Sequence, residues 1–241
     1  MLNRFICLLA AILFAAQATA HEEQAAEDQG PWSGKATLGY LGTSGNTENS
    51  SLNAAFGVGY EIGSWTHAFN AMAINASEDE TTTSEAYEVG WKSELSLSEF
   101  NFLFARLNWR KDRFSSYESQ FSQTAGYGRR LINSERQMLD LEIGAGARQS
   151  DLIDGTSEDE FIVRGGLNYE WKFSDNAKFR QVVNVEAGDT NTYMESITAL
   201  SAKLIRDLSL VASYTIKHNT DVLPLTEKTD TYTALSLEYA F

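Results

Sequence analysis

Residues Gln137–Gln149 read QMLDLEIGAGARQ and change character from one residue to the next. Leu139 and Leu141 have one parity, whereas Asp140 and Glu142 have the other. Successive side chains of a β-strand point to opposite faces, so a strand with one apolar and one polar face shows this period of two. The stretch therefore predicts a β-strand that is apolar on one side and wet on the other.

The same alternation recurs along the chain from Trp32 onward, and no helical stripe interrupts it. We predict about twelve strands, each of roughly ten to thirteen residues. Their expected bounds are Trp32–Thr43, Ser50–Glu61, Trp65–Ser77, Ser84–Ser96, Phe100–Asp112, Glu118–Ile132, Gln137–Ser150, Glu160–Phe173, Ala177–Gly188, Thr192–Leu204, Leu208–Asn219 and Lys228–Phe241. Strands of this length exceed the roughly five or six residues usual in globular proteins and match the nine to eleven or so that cross a hydrocarbon core.

The connections between the predicted strands alternate in length. Tight turns are expected at 62–64, 97–99, 133–136, 174–176 and 205–207, and longer polar connections at 78–83, 113–117, 151–159 and 220–227. Short periplasmic turns and longer external loops are typical of outer-membrane barrels. We therefore predict an all-β, antiparallel transmembrane β-barrel in the outer membrane of a Gram-negative-type envelope, with both termini on the periplasmic side.

The composition excludes several other classes of protein. The 241 residues carry a formal net charge of −14, whereas binding to nucleic-acid phosphates needs a basic surface. Beyond the first twenty residues, no apolar run approaches the roughly 18 residues of a membrane helix. The three histidines form no HExxH pattern, and neither a phosphate loop nor a G-x-S-x-G motif is present. We expect no cofactor, no metal site and no nucleic-acid partner.

The start of the chain has the pattern of an export signal. Arg4 precedes the apolar run Phe5–Ala16, and Ala18-Thr19-Ala20 has the small residues of a cleavage site. We predict a secretory signal peptide over residues 1–20, a flexible acidic lead-in over 21–31, and a single barrel domain over 32–241. The one cysteine, Cys7, lies in the signal peptide, so no disulfide is expected in the mature chain.

The last predicted strand alternates up to its final residue. Tyr239 and Phe241 share the lipid-facing parity of Leu235 and Leu237. This pattern is similar to the terminal signal by which barrel-insertion machinery recognises its clients, so we expect that machinery, outer-membrane lipid and lipopolysaccharide as partners. Aromatic belts are expected at both interfaces. The predicted strands place Trp109, Phe114, Tyr117 and Phe161 in the outer belt.

Charged residues of both signs occupy the parity opposite the apolar face, so we expect them to face the lumen. Chief among them are Arg106, Arg110, Arg148, Arg164, Arg180, Glu142, Glu170 and Glu186. The arginines could form a ladder that draws anionic solutes through a narrow pore. Alternatively, the charges pair across the lumen and fill it, because an unpaired buried ion is costly. Pairing is favoured, with a narrow pore still open to test.

The histidines allow two enzymatic interpretations. His67 has lipid-facing parity, as a membrane phospholipase would require, but no serine is placed convincingly beside it. His218 lies near Asp221 and Glu227, as in a barrel protease. Neither arrangement is specific, and we expect no enzyme. The acidic outer connections could bind divalent cations, although solvated loops are favoured.

The first predicted hairpin, 32–47, reads WSGKATLGYLGTSGNT. It resembles the opening of the YdiY-like family of salt-induced outer-membrane proteins, a domain family of unknown function whose members carry this hairpin and end on an aromatic residue. Ser44-Gly45-Asn46 has the residues of a tight turn and is interpreted as such, not as a ligand site. The resemblance implies an outer-membrane β-barrel and is the sole source of the link to salt. Our leading hypothesis is a structural or stress-linked envelope protein with at most a narrow pore. The alternatives are a small-solute channel, an outer-membrane hydrolase and a soluble periplasmic β-protein.

Overall fold

The computed structural model describes residues 30–43, 49–79 and 81–241, and its regular structure consists of twelve strands. The strands are β1 (Trp32–Thr43), β2 (Asn49–Ile62), β3 (Trp65–Glu78), β4 (Thr81–Ser96), β5 (Asn101–Asp112), β6 (Tyr117–Asn133), β7 (Gln137–Leu152), β8 (Ser157–Ser174), β9 (Ala177–Gly188), β10 (Thr192–Ile205), β11 (Leu208–Asn219) and β12 (Thr229–Ala240). The expected signal peptide at 1–20, residues 21–29 of the lead-in and the turn Ser44-Gly45-Asn46 lie outside the described residues. In the described part of the chain, no helix is long and apolar enough to cross a membrane.

Every strand pairs antiparallel with its neighbours in sequence, and β1 pairs with β12 to close the sheet into a barrel. The prediction of an all-β antiparallel barrel of about twelve strands is therefore confirmed. The closing seam has a short register, from Lys35 opposite Ala240 to Gly39 opposite Ser236. By contrast, β1 pairs with β2 along its whole length, from Trp32 to Thr43.

The apolar face of each strand points outward, the reverse of a soluble barrel. In β5, Leu103 and Leu107 are 44% and 40% exposed, whereas Phe102 and Phe104 are buried in the lumen. An apolar exterior is stable only against lipid. We call the end at which Trp32 and Ala240 lie the periplasmic end, because barrels of this class keep their short turns and termini there.

Two outer connections are shorter than expected. The predicted loops at 78–83 and 151–159 were wrong, because β4 begins at Thr81, and β7 and β8 extend to Leu152 and Ser157. The ladder continues through these polar residues, with Asp151 opposite Ser157. Polar side chains can occupy both faces of a strand once it projects beyond the lipid. The 220–228 connection between β11 and β12 stays long.

Aromatic rings gather at both ends of the exterior, with one exception. At the periplasmic end, the ring centroids of Trp32 and Tyr60 are 4.4 Å apart. Phe114 and Phe161 are exposed at the outer end. Tyr117 was expected beside them, but it is only 4% exposed and lines a small cavity inside the barrel. A register shift between Tyr117 and Ser119 reverses the parity at the start of β6 and turns this ring inward.

Glycines let β6 and β7 approach each other unusually closely. A Cβ on Gly146 would lie 1.9 Å from the carbonyl oxygen of Gln123, and a Cβ on Gly126 would lie 2.1 Å from that of Ile143. No side chain fits at such distances. Glycines at positions of this kind mark sharp bends in barrel strands.

The change Gly146→Ala should therefore destabilise the barrel by about 1–3 kcal/mol, since the new methyl group collides with backbone that cannot move aside easily. Urea unfolding in lipid vesicles measures this loss. Gly165→Ala is the matched control, because a Cβ there meets nothing within 4 Å. Equal unfolding midpoints for the two variants would contradict the proposed close approach.

Candidate functional site

The outer half of the lumen is organised around Glu186 of β9. Its carboxylate accepts hydrogen bonds from Arg110 Nη2 and from Ser122 Oγ, both at 3.0 Å. Arg148 Nη1 lies 3.6 Å from the same carboxylate. Residues from β5, β6, β7 and β9 are thus joined through one buried side chain. The alternation of β9 points this side chain into the lumen, away from the apolar exterior.

Arg148 is completely buried and joins a second carboxylate. Its Nε donates to Glu160 Oε1 at 3.1 Å, and its Nη2 also contacts Glu160 and the carbonyl of Asn191. Glu160 is the first residue of the predicted strand Glu160–Phe173, but it was not among the predicted lumen charges. Glu160 lies in β8 directly opposite Arg148, so the ladder sets the two side chains face to face in the lumen.

Arg110 packs against an aromatic ring as well as a carboxylate. Its guanidinium carbon lies 3.7 Å from the centroid of the Tyr193 ring, and its Nε donates to Gln120 Oε1 at 2.8 Å. Stacking of this kind satisfies the face of the guanidinium while its edge is hydrogen bonded. We call the four main charges of this region the outer charge layer: Arg110, Arg148, Glu160 and Glu186.

Lys217 occupies the neighbouring part of the same region. Its Nζ lies 3.7 Å from Glu88 and 4.0 Å from Glu195. Glu195 and Tyr193 are buried on β10, and sequence reasoning missed both. Alternation does not mark them in the sequence, and it is the register of β10 against β9, with Glu195 opposite Asn184, that places Glu195 in the lumen.

A second group of charges, the middle charge layer, lies deeper in the barrel and consists of Lys92, Glu142 and Arg164. Glu142 forms ion pairs with Lys92 and, at 3.4 Å, with Arg164. Arg164 also donates to Asn184. Arg106 is half-buried in β5, and its Nε has no hydrogen-bond partner among the described residues.

The remaining predicted lumen residues lie near the periplasmic end. Glu170 and Arg180 are opposite each other in the β8–β9 ladder, and the Glu170 carboxylate is 3.9 Å from Lys178. Within the described ranges, Arg180 has no carboxylate partner within 4 Å. All eight predicted lumen charges have the lumen-facing parity of their strands, and three of the five arginines, Arg110, Arg148 and Arg164, are paired with carboxylates.

The two ends of the lumen differ in open space. At the periplasmic end, a cavity of about 490 Å³ opens among the turns that follow β6 and β8. At the outer end, beside Arg110 and Tyr117, the corresponding cavity is about 30 Å³. Ala68 and Asn70 of β3 face the lumen but are exposed, so the part of the lumen beside β3 is accessible to water.

His67 and His218 have different surroundings. His67 stacks between Trp65 and Trp91 on the outer surface, with centroid distances of 5.9 and 6.2 Å. Ser93 is its cross-strand neighbour, but no hydrogen bond joins the two in the described structure. His218 Nδ1 lies 2.8 Å from Thr229 Oγ1. Across residues 30–43, 49–79 and 81–241, no group of three His, Cys, Asp or Glu residues could hold a metal ion.

Carboxylates at the tip of the β7–β8 hairpin accept hydrogen bonds from the hairpin itself and from the neighbouring strand β6. Asp151 accepts from Ser157 Oγ at 2.9 Å and Ser119 Oγ at 3.0 Å. Asp154 accepts from the backbone N–H of Thr156 at 2.9 Å and from its Oγ1 at 2.6 Å. The Thr156 hydroxyl and N–H lower the pKa of Asp154 below its ordinary value because they stabilise the charged form.

Comparison with known proteins identifies the family. Residues 36–241 match the family described as "Protein of unknown function, DUF481", and the chain belongs to it. The "Uncharacterized protein YdiY" of Escherichia coli (strain K12) is 32% identical over 211 residues, which are 87% of this chain and 83% of that protein. The resemblance to YdiY-like proteins is therefore confirmed.

Two solved structures have a similar fold. The COG4313 outer membrane channel from Pseudomonas putida F1 has a TM-score of 0.53 and 10% identity, covering 91% of this chain and 100% of that one. The NanC porin has a TM-score of 0.50 and 8% identity, covering 87% and 97%. At such identities the likeness concerns the fold alone, and that fold is an outer-membrane β-barrel.

Removal of the central carboxylate should be costly. Glu186→Gln leaves Arg110 and Arg148 buried with less counter-charge, so we expect a loss of about 3–5 kcal/mol in the free energy of unfolding. The control is Glu118→Gln. Glu118 forms a 3.0 Å ion pair with Lys111, and the side chains of Glu118 and Lys111 are 50% and 36% exposed. This exposed pair should contribute less than about 1 kcal/mol. Similar losses for both would refute the central role of Glu186.

The hairpin tip supplies a pH-dependent test. Thr156→Val removes the hydroxyl donor, so the pKa of Asp154 should rise toward its ordinary value, as followed by carboxyl NMR. The folded-state pKa is lowered, so the stabilisation is present above the ordinary pKa and is lost as the pH falls through the lowered one. Ser157→Ala, which removes a donor to Asp151 only, is the control. An unchanged Asp154 titration in Thr156→Val would contradict the assignment.

Proposed function

We propose that this DUF481 protein is a structural component of the outer membrane whose lumen passes at most small ions. The observation that carries the proposal is the outer charge layer, in which buried arginines and glutamates from four strands, β5, β7, β8 and β9, are paired across the barrel. A barrel of about eight strands is filled by side chains and one of about sixteen leaves a channel. A barrel of twelve strands lies between these cases, so the side chains in its lumen determine whether it is open or filled.

The energetics of pairing support a closed lumen. Arg148 and Arg164 are almost completely buried, so a wide water column does not reach them. Removal of either partner from such a pair costs several kcal/mol, because the other charge stays desolvated. The outer charge layer therefore resists spontaneous opening and joins β5 and β7 to β9, strands that are not neighbours in the sheet.

A link to salt stress is part of the proposal. It is supported by the resemblance of the first hairpin to the YdiY-like family of salt-induced outer-membrane proteins. Growth of a deletion strain at raised NaCl, with and without the gene restored, tests it. Equal growth of both strains would overturn the link while leaving the structural role intact.

A small-solute channel is the second candidate. It is favoured by the water-accessible strip along β3 at Ala68 and Asn70, and by structural neighbours described as a channel and a porin. No enzymatic step is proposed.

Planar-bilayer recording separates the two candidates. We expect the wild type to insert without large conductance steps. The variant Arg148→Ala/Glu186→Ala should gain conductance, because it removes the centre of the outer charge layer. Lys111→Ala/Glu118→Ala, an exposed pair at the same end, is the control and should stay silent. Large, steady steps from the wild type would overturn the closed-lumen proposal and establish the channel.

A further inference from the structure

Basic residues collect at the periplasmic mouth of an otherwise acidic protein. We define the periplasmic basic cavity by four cations that line the 490 Å³ space: Arg136, Lys172, Lys178 and Lys203. Two carboxylates, Glu135 and Asp175, also line it. The lining residues are thus more positive than negative, although the chain as a whole has a net charge of −14.

The ladder forces these cations together. Lys172 of β8 lies directly opposite Lys178 of β9, and Lys178 lies opposite Ser201 of β10. Lys203 follows two residues later with the same parity. Like charges directly opposite each other destabilise a sheet. Such a pair costs stability unless something negative lies between the two ammonium groups.

Carboxylates of the protein compensate little of this charge. Lys178 has Glu170 at 3.9 Å, which is a long and half-exposed pair. Within the described residues, no carboxylate lies within 4 Å of the side-chain nitrogens of Lys172, Lys203 or Arg136. The cations are therefore available to a negatively charged ligand.

Positive charge continues into the barrel above the cavity. Arg180 lies two residues beyond Lys178 on the same face of β9. Lys35 of β1 also faces the lumen at this end, and its partner is Glu238 at 3.7 Å. Further in, the lumen narrows toward the paired charge layers. A ligand in the cavity would thus have Arg180 on its inner side, with Glu170 on the neighbouring strand.

The lining also offers neutral hydrogen-bond donors. Ser174, Asn176, Ser201 and Ser209 face the same space. Its volume of about 490 Å³ lies within the usual range for small-molecule sites, about 300–1,000 Å³. Lysines with hydroxyl and amide donors suit oxygen anions that carry several charges.

We propose that the periplasmic basic cavity binds a small soluble polyanion, with several carboxylate or phosphate groups, that enters from the periplasm. The ligand bridges Lys172 and Lys178 and relieves their repulsion. This goes beyond the structural role proposed above. It needs no conducting pore, because the cavity opens at the periplasmic end of the barrel.

Isothermal titration with citrate and with inorganic pyrophosphate tests the site, using protein purified from outer membranes in neutral detergent. We expect saturable binding that weakens as NaCl rises. Lys172→Gln/Lys178→Gln should raise the Kd about tenfold or more, equivalent to about 1.4 kcal/mol. Lys178→Arg should retain binding because it keeps the charge. Lys111→Gln/Lys228→Gln, at the outer end, is the control and should not change the Kd.

Loss of folding is checked by the heat-dependent electrophoretic mobility of each variant. The variants relieve repulsion, so they should stay folded. The absence of saturable binding of both probes to the wild type would overturn the proposal, as would an unchanged Kd in Lys172→Gln/Lys178→Gln. Repeating the titrations in phosphatidylglycerol micelles distinguishes a soluble anion from a lipid phosphate headgroup as the ligand. Undiminished citrate binding there supports a soluble ligand, whereas its loss would overturn that assignment in favour of a headgroup.

The bilayer and titration experiments test the two proposals independently of each other. A silent bilayer with no anion binding would reject this site and leave the structural role standing. Large conductance with lysine-dependent binding would reject the closed lumen and leave the site standing.

Discussion

Hydrogen bonding of the backbone in lipid is the constraint on which the rest of this structure depends. Hydrocarbon offers no partner for an N–H or C=O group, so a membrane-spanning sheet must close on itself. Closure of the sheet and the alternation of each strand then determine which way every side chain points. Every second residue faces lipid and is apolar, and the others face a confined lumen. The charges of that lumen cannot be solvated fully, so they pair with one another across it.

The lumen is consequently asymmetric along its axis. Carboxylates and arginines of β5, β7, β8 and β9 neutralise one another in the outer half, where the side chains are most deeply buried. Toward the periplasm the barrel holds more water, and charges there can remain unpaired at lower cost. Lysines that lie side by side are tolerated at this wet end and would be far more costly beside Arg148.

Alternation alone located the strands, because the lipid-facing parity is strongly apolar in elements such as β5 and β7. It also assigned Glu142 and Glu186 to the lumen. Glu195 escaped because Ser196 and Thr198 hydrogen bond with Gln181 on the outward face of β10, which removes the apolar signal. Tyr117 was misplaced because a bulge reverses parity without leaving a mark in composition. Pairing across the lumen depends on which strands face each other, and a single strand carries no such information.

The seam between β1 and β12 has a consequence for assembly. It joins residues about 200 positions apart in sequence, so its loop-closure entropy is the largest in the sheet. Its ladder, from Lys35 to Gly39 on β1, is much shorter than the twelve-residue ladder of β1 with β2. Ring closure therefore offers the least hydrogen bonding for the greatest loss of chain freedom. The two ends can meet only when the ten intervening strands have already brought them side by side. Folding of the barrel is therefore cooperative around its circumference, and the pairing of β1 with β12 forms last.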